Sequence, residues 1–276
     1  MTQQSQCYKT LKPKVIAAIP CYRTEPYVGD VISRAKKYVD QVIVVDDGSD
    51  DGTGEVAREA GALVIRHEKN RGKGAAMKTA VQNSDANIVV FLDSDGQHNP
   101  DEIPELIEPI IQGRADLVIG SRHLPGSQIA SPSFKRRLTN TLASIIISIV
   151  ISVLLPLALW LNRLIKPLAS SQIATNHQIR TKRWITDCTS GFRAITREAW
   201  QRLDLTADGF QIEAEMIYEA AKNKLLIAEV PISCNWKSGV SSLSIFRDGW
   251  KTVKLLAQKL VCEIKGGQKV PRNQSL

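Results

Sequence analysis

Acidic residues are missing altogether between Asp116 and Asp187. That stretch holds Arg122, Lys135, Arg136, Arg137, Arg163, Lys166, Arg180, Lys182 and Arg183. Removing these nine from the 36 basic residues leaves 27 against 28 acidic ones, so the net charge of +8 is a local property. The five cysteines (Cys7, Cys21, Cys188, Cys234, Cys262) lack a CxxC pair and metal-ligand spacing, which argues against a thiol-zinc or paired redox site. They read as reduced, mostly buried thiols. Thr2 to Gln6 contain no apolar signal core, so secretion is not expected. Repeats and low-complexity tracts are also absent. The 276 residues, 43% hydrophobic, suffice for one large domain, with or without a substantial insertion.

What is present in the first 120 residues is an alternation. Short β-branched runs at Val15–Ile19, Val42–Val45, Leu63–Ile65, Ile88–Leu92 and Leu117–Ile119 read as buried strands. Helical stretches at about Glu25–Val39, Gly54–Ala60, Lys73–Asn83 and Asp101–Gln112 separate them. This order predicts an α/β fold with a doubly wound, mostly parallel sheet. Ligands of such sheets lie beyond the carboxyl ends of the strands. The unusual residues collect there: Pro20 to Tyr22, Asp46 to Ser49, Asp93 to Asp95, and Gly120 to Arg122.

Each strand end suggests a chemistry. Asp93 and Asp95, one residue apart before a glycine turn, can aim carboxylates at one hard cation. Gln97 can add an amide oxygen, and the all-oxygen set suits Mg²⁺ or Mn²⁺ with phosphates completing the shell. Asx-rich turns also produce this pattern without a metal. Asp47 can accept hydrogen bonds from a base or ribose. Asn70 to Gly74 (NRGKG) opens a helix with glycines and a lysine, which favours a bound anion. It lacks the spacing of a P-loop.

These residues carry a resemblance. IPCY at 19–22, VDDGSDDGT at 45–53, NRGKG at 70–74, DSDGQ at 93–97 and GSR at 120–122 resemble family 2 inverting glycosyltransferases. DCTSGFR at 187–193, GFQIEAE at 209–215 and EVPI at 229–232 resemble its dolichol-phosphate mannosyltransferase and polyprenyl-phosphate glycosyltransferase branch. The resemblance spans residues 14 to about 260 and implies a GT-A-like fold. It implies donor contacts at Pro20, Tyr22, Glu25, Asp47, Gly72, Lys73 and Ser94, and a metal at Asp93, Asp95 and Gln97. Arg122, Arg136, Arg137 and Asn140 would face an acceptor phosphate, with Asp95, Arg122, Asp187 and Arg193 as catalytic residues. Two positions depart from the family pattern. Arg23-Thr24 replaces its Asn-Glu, and Ser241-Ser242 replaces its Ser-Lys, leaving Lys237 or Arg247 as substitutes for that lysine.

Leu142 to Leu161 is an uncharged run of twenty residues, long enough as a helix to span the ~30 Å of a bilayer. A single crossing would separate Asp93 and Asp95 from the 187–193 motif, which must share their site. Pro156 offers a break, so helices are expected over about 135–155 and 157–169. They would lie in the plane of the interface, or re-enter it, with Trp160, Arg163 and Lys166 at headgroup level. Basic residues around an apolar run suit anionic lipid better than nucleic acid, so a membrane surface is the expected partner. A helical hairpin buried in an oligomer is the alternative. At 250–264, Val253, Leu256, Leu260 and Ile264 recur at helical spacing beside Lys251, Lys254, Lys259 and Lys265, reading as a basic amphipathic helix.

The expected organisation is a polar tail (1–13), a nucleotide-sugar-binding half (14–130), a basic and apolar membrane-interface insertion (131–186), an acceptor-side part (187–248) and the basic C-terminal helix and tail (249–276). The expected activity is metal-dependent transfer of a sugar from a GDP- or UDP-linked donor to polyprenyl or dolichyl phosphate at the cytoplasmic membrane face. An anionic acceptor needs no general base. A hydroxyl acceptor would need one, with Asp187 or Glu213 as candidates. That reading, and a non-catalytic nucleotide-sugar-binding protein, stay open at this point.

Overall fold

The computed structural model describes residues 12–130, 134–165, 184–235 and 245–265. The first half follows the alternation of its sequence: β1 (Val15–Cys21), α1 (Glu25–Ala35), β2 (Gln41–Asp46), α2 (Thr53–Glu59), β3 (Leu63–Arg66), α3 (Lys73–Gln82), β4 (Ile88–Phe91), α4 (Ile103–Ile111) and β5 (Leu117–Ser121). A short strand β6 (Ile129–Ala130) leads to α5 (Phe134–Ile149), a π-helical turn (Val150–Leu154) and α6 (Leu155–Ile165). Then come β7 (Arg193–Thr196), α7 (Arg197–Gln201), α8 (Ile212–Lys222), β8 (Ile227–Pro231), β9 (Cys234–Asn235) and α9 (Ile245–Ile264).

Seven strands form one sheet in the order β3-β2-β1-β4-β7-β5-β8. All neighbouring pairs are parallel except those of β7, which runs antiparallel between β4 and β5. Its residues, RAIT, place only two apolar side chains between an arginine and a threonine, and that strand was not legible in the sequence. Its insertion brings the 187–193 motif beside the ends of β4 and β5. Strands from before and after α5–α6 therefore share one sheet. The branched residues of β1, β2 and β4 are buried because helices cover both faces. Val28, Ile32, Ala57 and Leu106 from α1, α2 and α4 pack on one face. Met77, Met216, Ile217 and Leu256 from α3, α8 and α9 pack on the other.

The apolar segment corrects its expectation in two respects. Its irregularity is the π turn at Val150–Leu154, and Pro156 follows it inside one continuous helical run, so the helix does not break at the proline. Nor is it detached from the domain, because Ile147, Val150 and Leu155 enter the main core and α6 packs against α9. Its other side is apolar and exposed at Leu142, Ile146, Ile149, Val153, Leu157 and Trp160. Among the described residues, no helix is long and apolar enough to cross a membrane.

The C-terminal helix corrects a second expectation. Lys259 does not join a basic surface. It is buried, with Nζ 2.7 Å from Glu219 Oε1 and 3.0 Å from Glu215 Oε1 on α8. Helical spacing finds the apolar stripe but cannot show that a facing helix carries buried acids. The exposed residues of α9 include Trp250, which is 72% accessible, and Val253.

Candidate active site

The loops after β2 and β3 are fastened from below. Asp47, expected to touch a nucleoside, is buried beneath the NRGKG turn. Its Oδ1 accepts from the Arg71 N–H at 2.9 Å and lies 2.6 Å from His67 Nδ1, and its Oδ2 accepts from the Gly72 N–H at 2.7 Å. It thus positions the turn. His67, which no motif singled out, is held on its other nitrogen by Thr79 Oγ1 at 3.0 Å. Gly72 has φ +98°, and a Cβ there would meet the Asp208 carbonyl oxygen at 2.4 Å, so this turn requires glycine.

The turn after β1 is fixed similarly. The Arg23 N–H donates to Ser49 Oγ and the Thr24 N–H to Thr53 Oγ1. Ser94 Oγ accepts from Thr24 Oγ1 and donates to the Pro20 carbonyl. Glu25 Oε2 accepts from the Gly52 N–H at 3.0 Å, and Tyr22 is exposed. The Arg23-Thr24 departure thus forms a closed turn of its own.

Asp93 and Asp95 follow β4. Asp95 Oδ1 accepts from the Gln97 N–H at 3.0 Å, which closes an Asx turn inside the motif. Asp93 Oδ1 lies 2.5 Å from Lys73 Nζ, which also reaches Glu213 Oε1 at 2.6 Å. Burial pulls the Lys73 ammonium down, but Asp93 and Glu213 outweigh it and hold it above its ordinary value. Burial pushes Asp93 up, and Lys73 with its other cationic neighbours overrides this to keep it ionised. His98, stacked on Phe192, has Nδ1 4.0 Å from Asp93 Oδ2 and without a hydrogen-bond partner. Burial pulls it down to about 4, so it is neutral at pH 7.

The two carboxylates fit a hard divalent cation as part of a shell. They are oxygen donors at one strand end, and Gly191 leaves room for Asp93, since a Cβ there would lie 2.3 Å from Asp93 Oδ2. Among the described residues, no cluster of three or more His, Cys, Asp or Glu is arranged to hold a metal. A cation here therefore needs ligands from elsewhere, as Mg²⁺ does when it takes substrate phosphates.

Arg122, at the end of β5, is gripped by Asp187. Its Nε lies 2.6 Å from Oδ2 and its Nη2 2.8 Å from Oδ1, while Nη2 also donates to Thr189 Oγ1. Burial pushes the Asp187 carboxyl up, but Arg122 overrides it and holds it well below the usual carboxylate range. Such a group orients a guanidinium and does not accept a proton at neutral pH. Arg193, expected to be catalytic, is fully buried. It donates from Nε to the Ser190 carbonyl, from Nη2 to the Cys188 carbonyl and from Nη1 to the Glu213 carbonyl, so it clamps the motif from within.

A cavity of about 590 Å³ opens at Arg122. His123 and Ser127 line it together with Ile145 of α5, Trp184 and Ile185. Arg136, Arg137 and Asn140 belong to α5, but their side chains lie outside the described residues, as do those of Arg163 and Arg247. Lys166, Lys237, Ser241 and Ser242 lie outside them altogether.

The family model described as Glycosyl transferase family 2 matches residues 16–203. The UDP-N-acetylglucosamine–dolichyl-phosphate N-acetylglucosaminyltransferase of Methanococcus voltae is 30% identical over 237 residues, covering 78% of this chain and 82% of that protein. The polyprenol monophosphomannose synthase of Mycolicibacterium smegmatis is 27% identical over 252 residues, covering 85% and 83%. Among solved structures, glucosyl-3-phosphoglycerate synthase from Mycobacterium tuberculosis, in complex with Mn²⁺ and uridine-diphosphate-glucose, superimposes with a TM-score of 0.60. It is 20% identical, covers 93% of this chain and 80% of its own, and shares the fold.

Proposed function

The chain belongs to glycosyl transferase family 2, and on that premise we propose that it moves a sugar from a GDP- or UDP-linked donor to a polyprenyl or dolichyl phosphate at the cytoplasmic face of a membrane. The cavity at Arg122 carries this reading. Its lining brings the Arg122 cation together with the apolar side chains of Leu124, Ile129, Ile145, Trp184 and Ile185, beside the polar Thr141, Ser144 and Thr186. An acceptor with an anionic head and an isoprenoid tail matches that combination. Beyond it, the exposed apolar face of α5 and α6 suits the surface of a bilayer. The shared sheet supports a one-sided arrangement, since it keeps both halves of the site together. The names of the two relatives favour the same acceptor class.

The chemistry follows from charge. A divalent cation, Mg²⁺ or Mn²⁺, held by Asp93, Asp95 and Gln97 would neutralise the charge developing on the leaving diphosphate. Pro20, Tyr22 and Ser94 sit at the donor side of the same strand ends. Arg122, fixed by Asp187, orients the acceptor phosphate toward the anomeric carbon, with Arg136, Arg137 and Asn140 as further contacts from α5. That phosphate is already an anion, so no residue need take its proton. Asp187 and Glu213 support this, since each is paired with a cation.

Kinetics in detergent with a short-chain polyprenyl phosphate test the acceptor side. Arg122→Ala and Arg136→Ala/Arg137→Ala should each raise the acceptor requirement far more than the donor requirement. A charge-assisted contact is worth about 1.5–3 kcal/mol, so losing two weakens acceptor engagement by more than ~100-fold. Unchanged acceptor dependence in both variants would leave a hydroxyl acceptor as the better reading.

A further inference from the structure

The geometry points to Lys73 as a resident counter-ion: its ammonium holds the place of the divalent cation at Asp93 and is exchanged for it when the nucleotide sugar arrives. This rests on the reading of Asp93 and Asp95 as metal ligands. Lys73, the first residue of α3, brings Nζ between Asp93 after β4 and Glu213 on α8, at 2.5 and 2.6 Å. Only 12% of its side chain is accessible, so the ammonium is a built part of the acidic centre. A Mg²⁺ ion binds carboxylate oxygen at about 2.0–2.1 Å. Sharing Asp93 Oδ1 with the ammonium at 2.5 Å would bring the two cations to within roughly 4 Å of each other, where their repulsion opposes metal binding.

The movement required is confined to the lysine side chain. Its backbone is pinned on both sides, by the Gly72 N–H on Asp47 Oδ2 and by the Ala75 N–H on the Asp208 carbonyl. Extra volume at Gly74 would meet the Ala207 carbonyl oxygen at 2.5 Å, so the turn has no room to shift that way. Asp93 Oδ2 occupies the space that the missing Cβ of Gly191 leaves open. The departing ammonium keeps Glu213, and the Phe210 ring lies 5.7 Å from it. A diphosphate brings enough negative charge to hold both cations. Metal alone therefore binds against Lys73, and metal with nucleotide does not.

The test is Mn²⁺ binding to the full chain without nucleotide, read from the electron paramagnetic resonance signal of free Mn²⁺. Lys73→Gln and Lys73→Met should bind Mn²⁺ at least about tenfold more tightly than wild type, equivalent to 1.4 kcal/mol. Lys78→Gln removes a lysine from the same helix, paired instead with Asp208, and should change affinity by less than about twofold if proximity to Asp93 is what matters. A nucleoside diphosphate should tighten Mn²⁺ binding strongly in wild type and much less in Lys73→Gln. Thermal unfolding in the same buffer establishes that each variant is folded. Equal or weaker Mn²⁺ binding by folded Lys73→Gln, with binding lost in Asp93→Asn, would overturn the exchange while keeping the metal site. Mn²⁺ binding that survives Asp93→Asn, or is absent from every protein even with nucleotide, would overturn the metal reading and the exchange together.

Discussion

Asp187 grips Arg122 through both carboxylate oxygens, with the guanidinium nitrogens at 2.6 and 2.8 Å, at a site almost closed to solvent. Breaking one side of a buried pair costs about 3–5 kcal/mol because the remaining charge is left uncompensated. Asp187→Asn should therefore lower stability by about that amount in urea titrations. Its acceptor KM should rise more than about tenfold, since Arg122 loses its orientation, while donor KM changes little.

The same pair sets an acid limit. The folded-state value of Asp187 is depressed, so its contribution is complete above the ordinary carboxyl value of 3.8 and is lost as pH falls below it. Wild type should lose stability steeply on that limb. Asp187→Asn should show a flatter acid limb, measured by denaturant unfolding from pH 5 to pH 2.

Arg193→Met should damage the fold more than the chemistry. It orphans the carbonyls of Ser190, Cys188 and Glu213, and each buried unsatisfied group costs roughly 1–3 kcal/mol. Urea unfolding should show a loss of about 3 kcal/mol or more. A variant of wild-type stability with no turnover would instead make Arg193 a substrate contact.

The strand order explains why some of this was legible in the sequence and some was not. The runs at β1, β2, β4 and β5 were readable because both faces of those strands are buried, which leaves continuous apolar segments. β7 was not, because its two apolar residues stand between Arg193 and Thr196 and form no apolar run. The strand-end clusters marked the candidate site, but not the partners of its side chains. Nothing local to Asp47 tells that His67 and two backbone N–H groups will occupy it. Likewise, Arg193 reads as catalytic until its guanidinium is seen among carbonyls, and Lys259 reads as surface until α8 supplies Glu215 and Glu219. Pairings between residues distant in sequence set these roles.

Lys259→Met tests that last pairing. It leaves Glu215 and Glu219 close together in a buried place, so stability should fall by about 3–5 kcal/mol in urea titrations. Adding Glu219→Gln removes one of the stranded charges and should recover part of the loss. No recovery would mean that Lys259 contributes through packing alone.

Two changes at the acidic centre should separate folding from turnover. Asp95→Asn removes a carboxylate from a strand end outside the core, so the thermal midpoint should hold while turnover disappears. Gly191→Ala should displace Asp93 and act in the same direction, because its new Cβ would lie 2.3 Å from Oδ2. Full activity of Asp95→Asn in the presence of a chelator would remove the metal assignment.

The most direct measurement follows radiolabelled sugar from nucleotide-sugar donors, with Mn²⁺ or Mg²⁺, into a short-chain polyprenyl phosphate. A parallel reaction uses the polyprenol of the same length, which lacks the phosphate. A lipid-phosphate acceptor predicts label in the phosphate-containing lipid, none in the polyprenol, and none in either with Asp93→Asn. Label in the polyprenol or in a glycan, with the polyprenyl phosphate left unlabelled, would contradict it.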